Sequence, residues 1–232
     1  MLHVDAGLSA TVAAVLAILI GAVCGAFNGF LITGLKLPSI VVTIGTMSLF
    51  RGIAFIVLGD QSFKGYPASF SWFGQGYVFW VISFELVLFL VAAVLFYILL
   101  HRTNFGRRVY AIGNGMRAAE LSGVPVGSTT VKVYMLSGLC AALVGCLLAG
   151  FSGQGSLGMG DEYLLPSIAV VVVGGALITG GRGSYIGMLG GVLLLTALQT
   201  LLSGTTLPYA SRAILYGAVV LCAVVALREK NS

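Results

Sequence analysis

The feature that most constrains the fold is a series of long apolar runs with almost no charge inside them. A helix needs about 20 predominantly apolar residues to cross a bilayer. Charged residues make up only 8% of the chain, against roughly 25% in soluble domains, so too few charges remain to cover a water-facing surface. The sequence therefore predicts an all-α, polytopic helical membrane protein that forms a single transmembrane domain over residues 1–232.

Seven runs are long enough to be considered as spans. We predict membrane-spanning helices at Ser9–Thr33, Ser39–Leu58, Val78–Leu100, Val131–Gly150, Tyr163–Ile178, Tyr185–Leu202 and Pro208–Leu227. The fifth run is only about 24 Å long at 1.5 Å per residue, and Gly174-Gly175 interrupts it. A tilted short helix and a glycine-broken helix beside a transport path fit this run equally well.

The distribution of basic residues predicts which loops are cytoplasmic. Five of the twelve Lys and Arg residues lie from Arg102 to Lys132, four of them in the one large polar loop and Lys132 directly after it. Because cytoplasmic loops carry the excess of Lys and Arg, we predict that the 101–131 loop lies inside and couples the protein to a partner. With that orientation, the inside loops also hold Lys36, Arg182, Arg228 and Lys230, and the outside loops hold Asp60, Lys64, Asp161 and Glu162.

The same orientation places Met1 outside, although no basic segment precedes the first run. A cleavable export signal would begin with such a segment. We therefore expect the chain to be N-terminally incomplete, with early helices missing. A true seven-span protein with an outside N-terminus is the alternative.

The sequence carries no motif for catalysis, for a metal or for a nucleotide. It contains no G-x-x-x-x-G-K-[ST] loop, no H-E-x-x-H and no paired carboxylates, and its two histidines are far apart. The four cysteines lie inside apolar runs without metal-ligand spacing, and the basic residues form no nucleic-acid-binding stripe. We predict no catalytic residue, metal ligand, cofactor or nucleic-acid partner, and therefore a transport subunit, not an enzyme.

Two charged residues, Arg51 and Glu85, lie clearly inside predicted spans. Each is seven residues from the predicted outer end of its span, so both are expected about 10 Å below the outer edge. A lone charge inside the bilayer is unfavourable by roughly 2.5–3.5 kcal/mol. We predict that the two side chains pair or face the external mouth of the path, and separate extension of each to the headgroups is the alternative.

Glycines repeat every four positions in two places: Gly21, Gly25 and Gly29 in the first span, and Gly183, Gly187 and Gly191 near the sixth. Small residues at this spacing let two helix backbones approach closely. We interpret both repeats as packing surfaces within the chain. An interface between subunits is the alternative.

Four motifs, in order, resemble the sugar permeases of bacterial ABC importers of the ribose, xylose and autoinducer-2 type. They are GAFNGFLI, LPSIVVTIGTMSLFRGIAFI, FGRRVYAIGNGMRAAELSGVPV and DEYLLPSIAVVVVGGALITGGRGSYIGMLGG. The resemblance implies about ten helices in a complete family member, about seven of them present here. It also implies a cytoplasmic ABC ATPase, a periplasmic substrate-binding protein and a second permease subunit, identical or different, at the bacterial inner membrane, where the protein crosses the lipid bilayer several times.

The third motif contains the segment that the resemblance assigns to ATPase contact. Importers carry an E-A-A-x-x-x-G pattern there, and this chain reads Arg117-Ala118-Ala119-Glu120-Leu121-Ser122-Gly123, with Arg in place of Glu. We expect a short helix that Asn114 caps and Gly123 ends. Its two alanines would leave a shallow surface for a groove on the ATPase. An ordinary solvated loop is the alternative.

The resemblance, together with the scarcity of membrane carboxylates, predicts the permease subunit of an ATP-driven importer for a monosaccharide or a related small polar solute. An ATPase-independent secondary carrier or facilitator, a branched-chain amino-acid ABC permease and a membrane scaffold are the alternatives. A neutral, hydroxyl-rich solute suits a path lined with uncharged polar groups. The candidates for that lining are Asn28, Thr43, Thr46, Ser48 and Gln154, although each could instead hydrogen-bond between helices.

Overall fold

The computed structural model of the protein describes residues 10–59, 63–64, 74–78, 82–176, 183–204, 214 and 217–218. Two compact units make up the chain. The first contains residues 1–99 and 123–159, and the second contains residues 100–122 and 160–232.

Helices account for most of the described structure. They are α1 (Ala10–Leu35), α2 (Ser39–Leu58), α3 (Phe84–Arg102), α4 (Asn104–Asn114), α5 (Met116–Leu121), α6 (Val126–Ser152), α7 (Leu164–Val173) and α8 (Tyr185–Ser203), with a 3-10 turn (Asp161–Tyr163) before α7. Four two-residue strands accompany them: β1 (Phe63–Lys64), β2 (Tyr77–Val78), β3 (Ile82–Ser83) and β4 (Gln154–Gly155). The strands pair antiparallel, β1 with β4 and β2 with β3.

Within the described ranges, five helices are long and apolar enough to cross a membrane, namely α1, α2, α3, α6 and α8. Most of their large apolar side chains are exposed. A chain with this pattern needs a lipid solvent, since exposed leucines and valines are unfavourable in water but not in hydrocarbon. The predicted all-α, polytopic membrane class is confirmed.

Three of the predicted spans end at or close to the residues where the helices end in the structure. Helix α2 has the bounds predicted from the sequence, and α1 and α8 end within two residues of their predictions. Two starts were wrong. Helix α3 begins at Phe84 instead of Val78, because the β2–β3 hairpin occupies the preceding apolar residues. Helix α6 begins at Val126, five residues before the predicted Val131, because the helix continues into the polar sequence of the loop.

The fifth run forms a helix of only ten residues, α7, about 15 Å long at 1.5 Å per residue. Gly174 caps it, and Gly175 has φ +81, a left-handed conformation that glycine adopts without strain. The glycine-broken interpretation of this run therefore describes it better than a complete tilted helix. The seventh predicted span, Pro208–Leu227, lies almost entirely outside the described residues.

Helices α1 and α6 pack antiparallel through their glycines, a contact that we call the glycine seam (Gly21, Gly25, Gly29 and Gly138). A Cβ on Gly29 would lie 2.7 Å from Val131 Cα, and a Cβ on Gly138 would lie 2.9 Å from Gly25 Cα. These distances are below any ordinary carbon contact, so the backbones touch directly. The first glycine repeat therefore packs within the chain, as we interpreted it from the sequence.

The second repeat packs in the same way, in the other unit. A Cβ on Gly191 would lie 2.8 Å from the carbonyl oxygen of Val170, and Gly187 faces the backbone of Gly174. Helix α8 therefore packs closely on the end of α7. This contact also lies within the chain.

The pairing of β1 with β4 shows which predicted loops of the first unit lie at the same end. It places Lys64 opposite Gln154, and Gln75 Nε2 donates a hydrogen bond of 2.8 Å to the carbonyl oxygen of Phe151 at the end of α6. Two loops that the sequence assigns to the outside therefore meet at the same end of α6. At the other end of α6, Gly127 lies beside Thr33 near the end of α1, so two segments that the sequence assigns to one side lie together. Which side of the membrane they face stays a prediction.

Candidate functional site

Helix α5 is the short helix expected in the third motif. It spans Met116–Leu121, and Gly123 follows it with φ +79, the left-handed conformation typical of the residue after a helix. The Ser122 hydroxyl donates a hydrogen bond of 2.9 Å to the carbonyl oxygen of Ala118. The predicted Asn114 cap is wrong, because Asn114 is the last residue of α4 and Gly115 occupies the cap position of α5.

The side chains of α5 divide into one buried face and one exposed face. Ala119 is only 4% exposed, whereas Leu121 is 85% exposed and Met116 is 58% exposed. Arg117, Ala118 and Glu120 are also exposed. Ala119 is therefore packed inside the protein, and the apolar side chains of Met116 and Leu121 project from a polar loop. Sequence reasoning passed over Met116, although an apolar residue in a basic loop is itself a signal.

Helix α4 precedes α5 and is tied closely to the end of α3. Thr103 caps it, accepting a hydrogen bond of 3.3 Å from the backbone N–H of Gly106. A Cβ on Gly106 would lie 2.6 Å from Leu100 Cα. Only glycine fits there. The predicted 101–131 loop is thus mostly helical, since it comprises the end of α3, all of α4 and α5, and the start of α6.

Three of the proposed path residues form hydrogen bonds within their own helix. The hydroxyl groups of Thr43, Thr46 and Ser48 donate to backbone carbonyl oxygens four residues earlier in α2, at 2.9, 3.0 and 3.3 Å. Such bonds satisfy the hydroxyl donor inside a membrane helix. Thr46 is only 6% exposed. Gln154 lies in β4, beyond the end of α6.

Asn28 differs from these residues. In the part of the chain that the structure describes, its Oδ1 atom is buried and accepts no hydrogen bond. Its neighbours show where it lies on α1, since Phe27 contacts Phe50 of α2 with ring centroids 6.4 Å apart and Gly29 packs on α6. At 100° per residue, Asn28 lies between the face that contacts α2 and the face that contacts α6.

The two intramembrane charges do not occupy matching positions. Arg51 lies seven residues before the end of α2, as predicted, but Glu85 is the second residue of α3. The predicted equal distances from the two helix ends are therefore wrong, because the hairpin displaces the start of α3. The shared depth stays a prediction. Ser83 Oγ accepts from the backbone N–H of Leu86, and a carboxylate in the first turn interacts favourably with the helix dipole. Whether Glu85 also pairs with Arg51 stays a prediction.

Sequence reasoning did not find the aromatic cluster at the end of α3, which consists of His101, Tyr110 and Tyr185. The His101 ring lies 6.3 Å from the Tyr110 ring and 6.4 Å from the Tyr185 ring, both at steep angles. His101 and Tyr110 are nine residues apart, but Tyr185 is 75 residues after Tyr110, and the three belong to α3, α4 and α8. A spacing pattern could not have revealed them.

The comparisons with known proteins decide the family. Residues 1–224 match the family model described as the permease component of the branched-chain amino acid transport system. The chain belongs to this permease family. It is 36% identical over 227 residues to the "Autoinducer 2 import system permease protein LsrD" of Yersinia pseudotuberculosis serotype O:1b. That match covers 95% of this permease and 68% of the relative.

Proteins of the same name from Yersinia pseudotuberculosis serotype O:3 and Yersinia pestis strain Pestoides F are 35% identical to this permease, with the same coverage. No solved structure matches the chain. The resemblance to ABC importer permeases of the sugar type is thereby confirmed, and with it the predicted role as a transport subunit of an importer.

Proposed function

We propose that this permease imports a monosaccharide or a related small polar solute, and that a separate cytoplasmic ABC ATPase supplies the energy by docking on α5. Autoinducer 2, which the names of the relatives specify, is the first solute to test. One observation carries the proposal: Leu121 is 85% exposed and Met116 is 58% exposed on a short helix outside the five apolar helices. Lipid does not cover such side chains in a polar loop, so a protein partner is the natural cover.

The docking face consists of residues that share one side of α5. At 100° per residue, Arg117, Ala118 and Leu121 lie together, and Ala119 lies on the opposite side. Leu121 would enter a groove on the ATPase while Arg117 contacts its rim. Because Ala119 is buried, a push on the docking face would move α5 together with the residues packed around Ala119. Closure of the ATPases would then tilt the spans and switch the path between its outside and inside openings.

Asn28 is the strongest candidate for a residue that lines the transport path. A buried acceptor without a partner is unfavourable by about 1–3 kcal/mol, and a hydroxyl-rich solute offers the donor that it lacks. Thr43, Thr46 and Ser48 already donate to their own helix. They would contact the solute only as acceptors. Gln154 lies beyond the end of α6, where it could contact solute only at the mouth.

The charges of the spans favour a neutral solute over an amino acid. Among the described residues of the five apolar helices, Asp, Glu, Lys and Arg occur only at Arg51, Glu85, Arg102 and Lys132. Glu85 and Arg102 lie at the two ends of α3, and Lys132 lies in the second turn of α6. A zwitterionic amino acid needs a partner for each of its charges. Arg51 alone, away from the helix ends, cannot supply both.

The remaining partners follow from the family. A periplasmic substrate-binding protein would deliver the solute to the outer surface, where the β1–β4 pairing holds two loops together. A second permease subunit, identical or different, would complete the path. The location would be the inner membrane of a bacterium.

The test uses the assembled importer, with its ATPase and binding protein, in sealed vesicles. We expect ATP-dependent uptake of autoinducer 2 or ribose, and no uptake of leucine. Leu121→Glu should lower uptake per ATP hydrolysed by about tenfold, which corresponds to roughly 1.4 kcal/mol of lost docking energy. Leu121→Met should retain uptake, and Ser128→Glu, a change at an exposed residue near the start of α6, serves as a charge control.

Three results would contradict the proposal. Uptake without the ATPase would show a facilitator or secondary carrier, and ATP-dependent uptake of leucine alone would show an amino-acid permease. Normal coupling by Leu121→Glu at normal abundance would remove α5 from the docking surface.

A further inference from the structure

Helix α4 has one basic face and one apolar face. At 100° per residue, Asn104, Arg107, Arg108 and Asn114 lie on one side, and Phe105, Val109 and Ile112 lie on the other. Both arginines are exposed, whereas these three apolar residues are half-buried. Arg107 donates a hydrogen bond to Asn104 Oδ1, which holds its guanidinium on the polar face. Helices of this kind lie in the plane of a membrane surface.

The position of α4 agrees with that interpretation. Thr103 alone separates α4 from α3, and the close approach of Gly106 to Leu100 packs α4 on the last turn of that apolar helix. The first turn of α4 is therefore at the depth where α3 leaves the hydrocarbon.

The aromatic cluster marks the same depth independently. Tyr110 of α4 and Tyr185, the first residue of α8, both contact His101 near the end of α3. Tyrosine is enriched at the level of the lipid headgroups, where its ring is in an apolar setting and its hydroxyl in a wet one. One apolar helix ends and another begins at this cluster, so it lies at a membrane boundary.

The charge of the segment is of one sign. Arg102, Arg107, Arg108 and Arg117 lie in sixteen residues, and the sequence has no Asp or Glu between Arg102 and Arg117. Guanidinium groups bind phosphate oxygens through two parallel hydrogen bonds. We propose that the polar face of α4 binds the phosphate groups of anionic lipids in the cytoplasmic leaflet, and so fixes the height of α5 above the membrane.

The ATPase is the competing occupant, and the structure favours the lipid. Gly106 and Tyr110 hold α4 against the end of α3, and the two arginines of its basic face are exposed at the depth that the aromatic cluster marks. Helix α5 carries the exposed apolar residues that a protein groove needs, whereas the basic face of α4 offers only arginines, asparagines and Ala111. This proposal does not depend on which solute is imported.

The first experiment identifies which molecule contacts the basic face of α4. A photo-cross-linking amino acid replaces Ala111, which lies between Arg107 and Arg108 on the helical wheel. The assembled importer is irradiated in vesicles of equal parts phosphatidylglycerol and phosphatidylcholine. We expect phosphatidylglycerol adducts to dominate. Adducts mainly to the ATPase, or equal adducts to the two lipids, would overturn the proposal.

The second experiment measures the contribution of the charge. Each arginine held at an anionic surface strengthens binding about fivefold, so Arg107→Gln with Arg108→Gln should reduce phosphatidylglycerol adducts at Ala111 by up to about 30-fold. The double Lys variant should retain most of the preference, and Lys36→Gln, which removes one cytoplasmic charge elsewhere, should leave it unchanged. A Gln variant that folds and keeps the full preference would contradict the role of the arginines.

Discussion

The glycine seam and the segment formed by α4 and α5 use small residues for opposite purposes. In the seam, glycines let the backbones of α1 and α6 touch, and a Cβ on Gly138 would lie 2.9 Å from Gly25 Cα. No room remains there for a partner. In α5, Ala119 is buried but Leu121 projects freely, and Gly123 only ends the helix. The glycine seam is therefore closed by backbone contact, whereas α5 leaves side chains exposed, and these are the side chains that we propose contact a partner.

The largest expected effect is at the glycine seam. Gly138→Ala places a methyl group against the backbone of Gly25, which cannot move without displacing the whole helix. We expect a loss of roughly 1–3 kcal/mol or more in the free energy of unfolding, measured by denaturation of the purified permease in detergent.

Gly145 provides a matched control on the same helix, because nothing lies within 4 Å of a Cβ placed there. Gly145→Ala should be neutral or stabilise the helix by up to about 1 kcal/mol. If both alanine variants lose the same stability, helix propensity and not the seam explains the effect.

The next effect concerns a residue beside the seam. Asn28→Leu keeps the side-chain volume and removes a buried acceptor without a partner, so we expect a gain of about 1 kcal/mol in stability. If Asn28 lines the path, the same variant should raise the KM for uptake by about tenfold, which is the loss of one hydrogen bond to the solute.

The two measurements separate the two roles of Asn28. A variant that is more stable and transports normally would mean that Asn28 is no part of the path. A variant that is less stable would mean that the amide has a structural partner. Asn28→Ser, which supplies a hydroxyl oxygen as acceptor in place of the amide oxygen, should recover part of the uptake.

Sequence patterns predicted what depends on neighbours in the chain. The bounds of α2 and the packing of Gly21, Gly25 and Gly29 follow from local apolarity and a four-residue period, and both were correct. The start of α3 was wrong because the residues of β2 and β3 belong to an apolar stretch as suitable for a helix as for a hairpin. The residue types alone do not distinguish a helix from a hairpin there, because the strand that each residue pairs with is not known from the sequence.

The candidate site was predicted less completely for the same reason. Helix α5 was found from its glycine and alanines, but the Asn114 cap was wrong because α4 had not been recognised as a helix. The burial of Ala119 and the exposure of Leu121 depend on how α5 packs, which no spacing encodes. The cluster of His101 with Tyr110 and Tyr185 likewise joins three separate helices.

A smaller effect is expected at Gly123, the glycine that follows α5. Gly123 has φ +79, and nothing lies within 4 Å of a Cβ placed on it, so Gly123→Ala introduces strain without a clash. We expect a loss of about 1 kcal/mol in the free energy of unfolding, which loosens the end of α5 and lowers uptake per ATP hydrolysed.

Gly115, directly before the same helix, provides the control. Its φ of 173 is extended, and a Cβ there meets Ala118 at an ordinary 3.7 Å. Gly115→Ala should therefore leave coupling unchanged, and equal damage from both variants would count against the conformational explanation.

The smallest expected effect is the coupling between Arg51 and Glu85. Arg51 lies about 10 Å along α2 from its end, whereas Glu85 is in the first turn of α3, so their backbones differ in depth by about 9 Å if the two helix ends are level. Residues at such a separation act almost independently. A double-mutant cycle with Arg51→Gln and Glu85→Gln should give an interaction of about 0.5 kcal/mol or less. Glu85→Gln alone should lose about 0.3–1 kcal/mol, because the first turn of α3 then lacks the carboxylate that its dipole favours. A measured interaction well above 1 kcal/mol, with Arg51→Gln more damaging alone than together with Glu85→Gln, would instead establish the ion pair. It would show that a long arginine side chain had bridged the difference in depth.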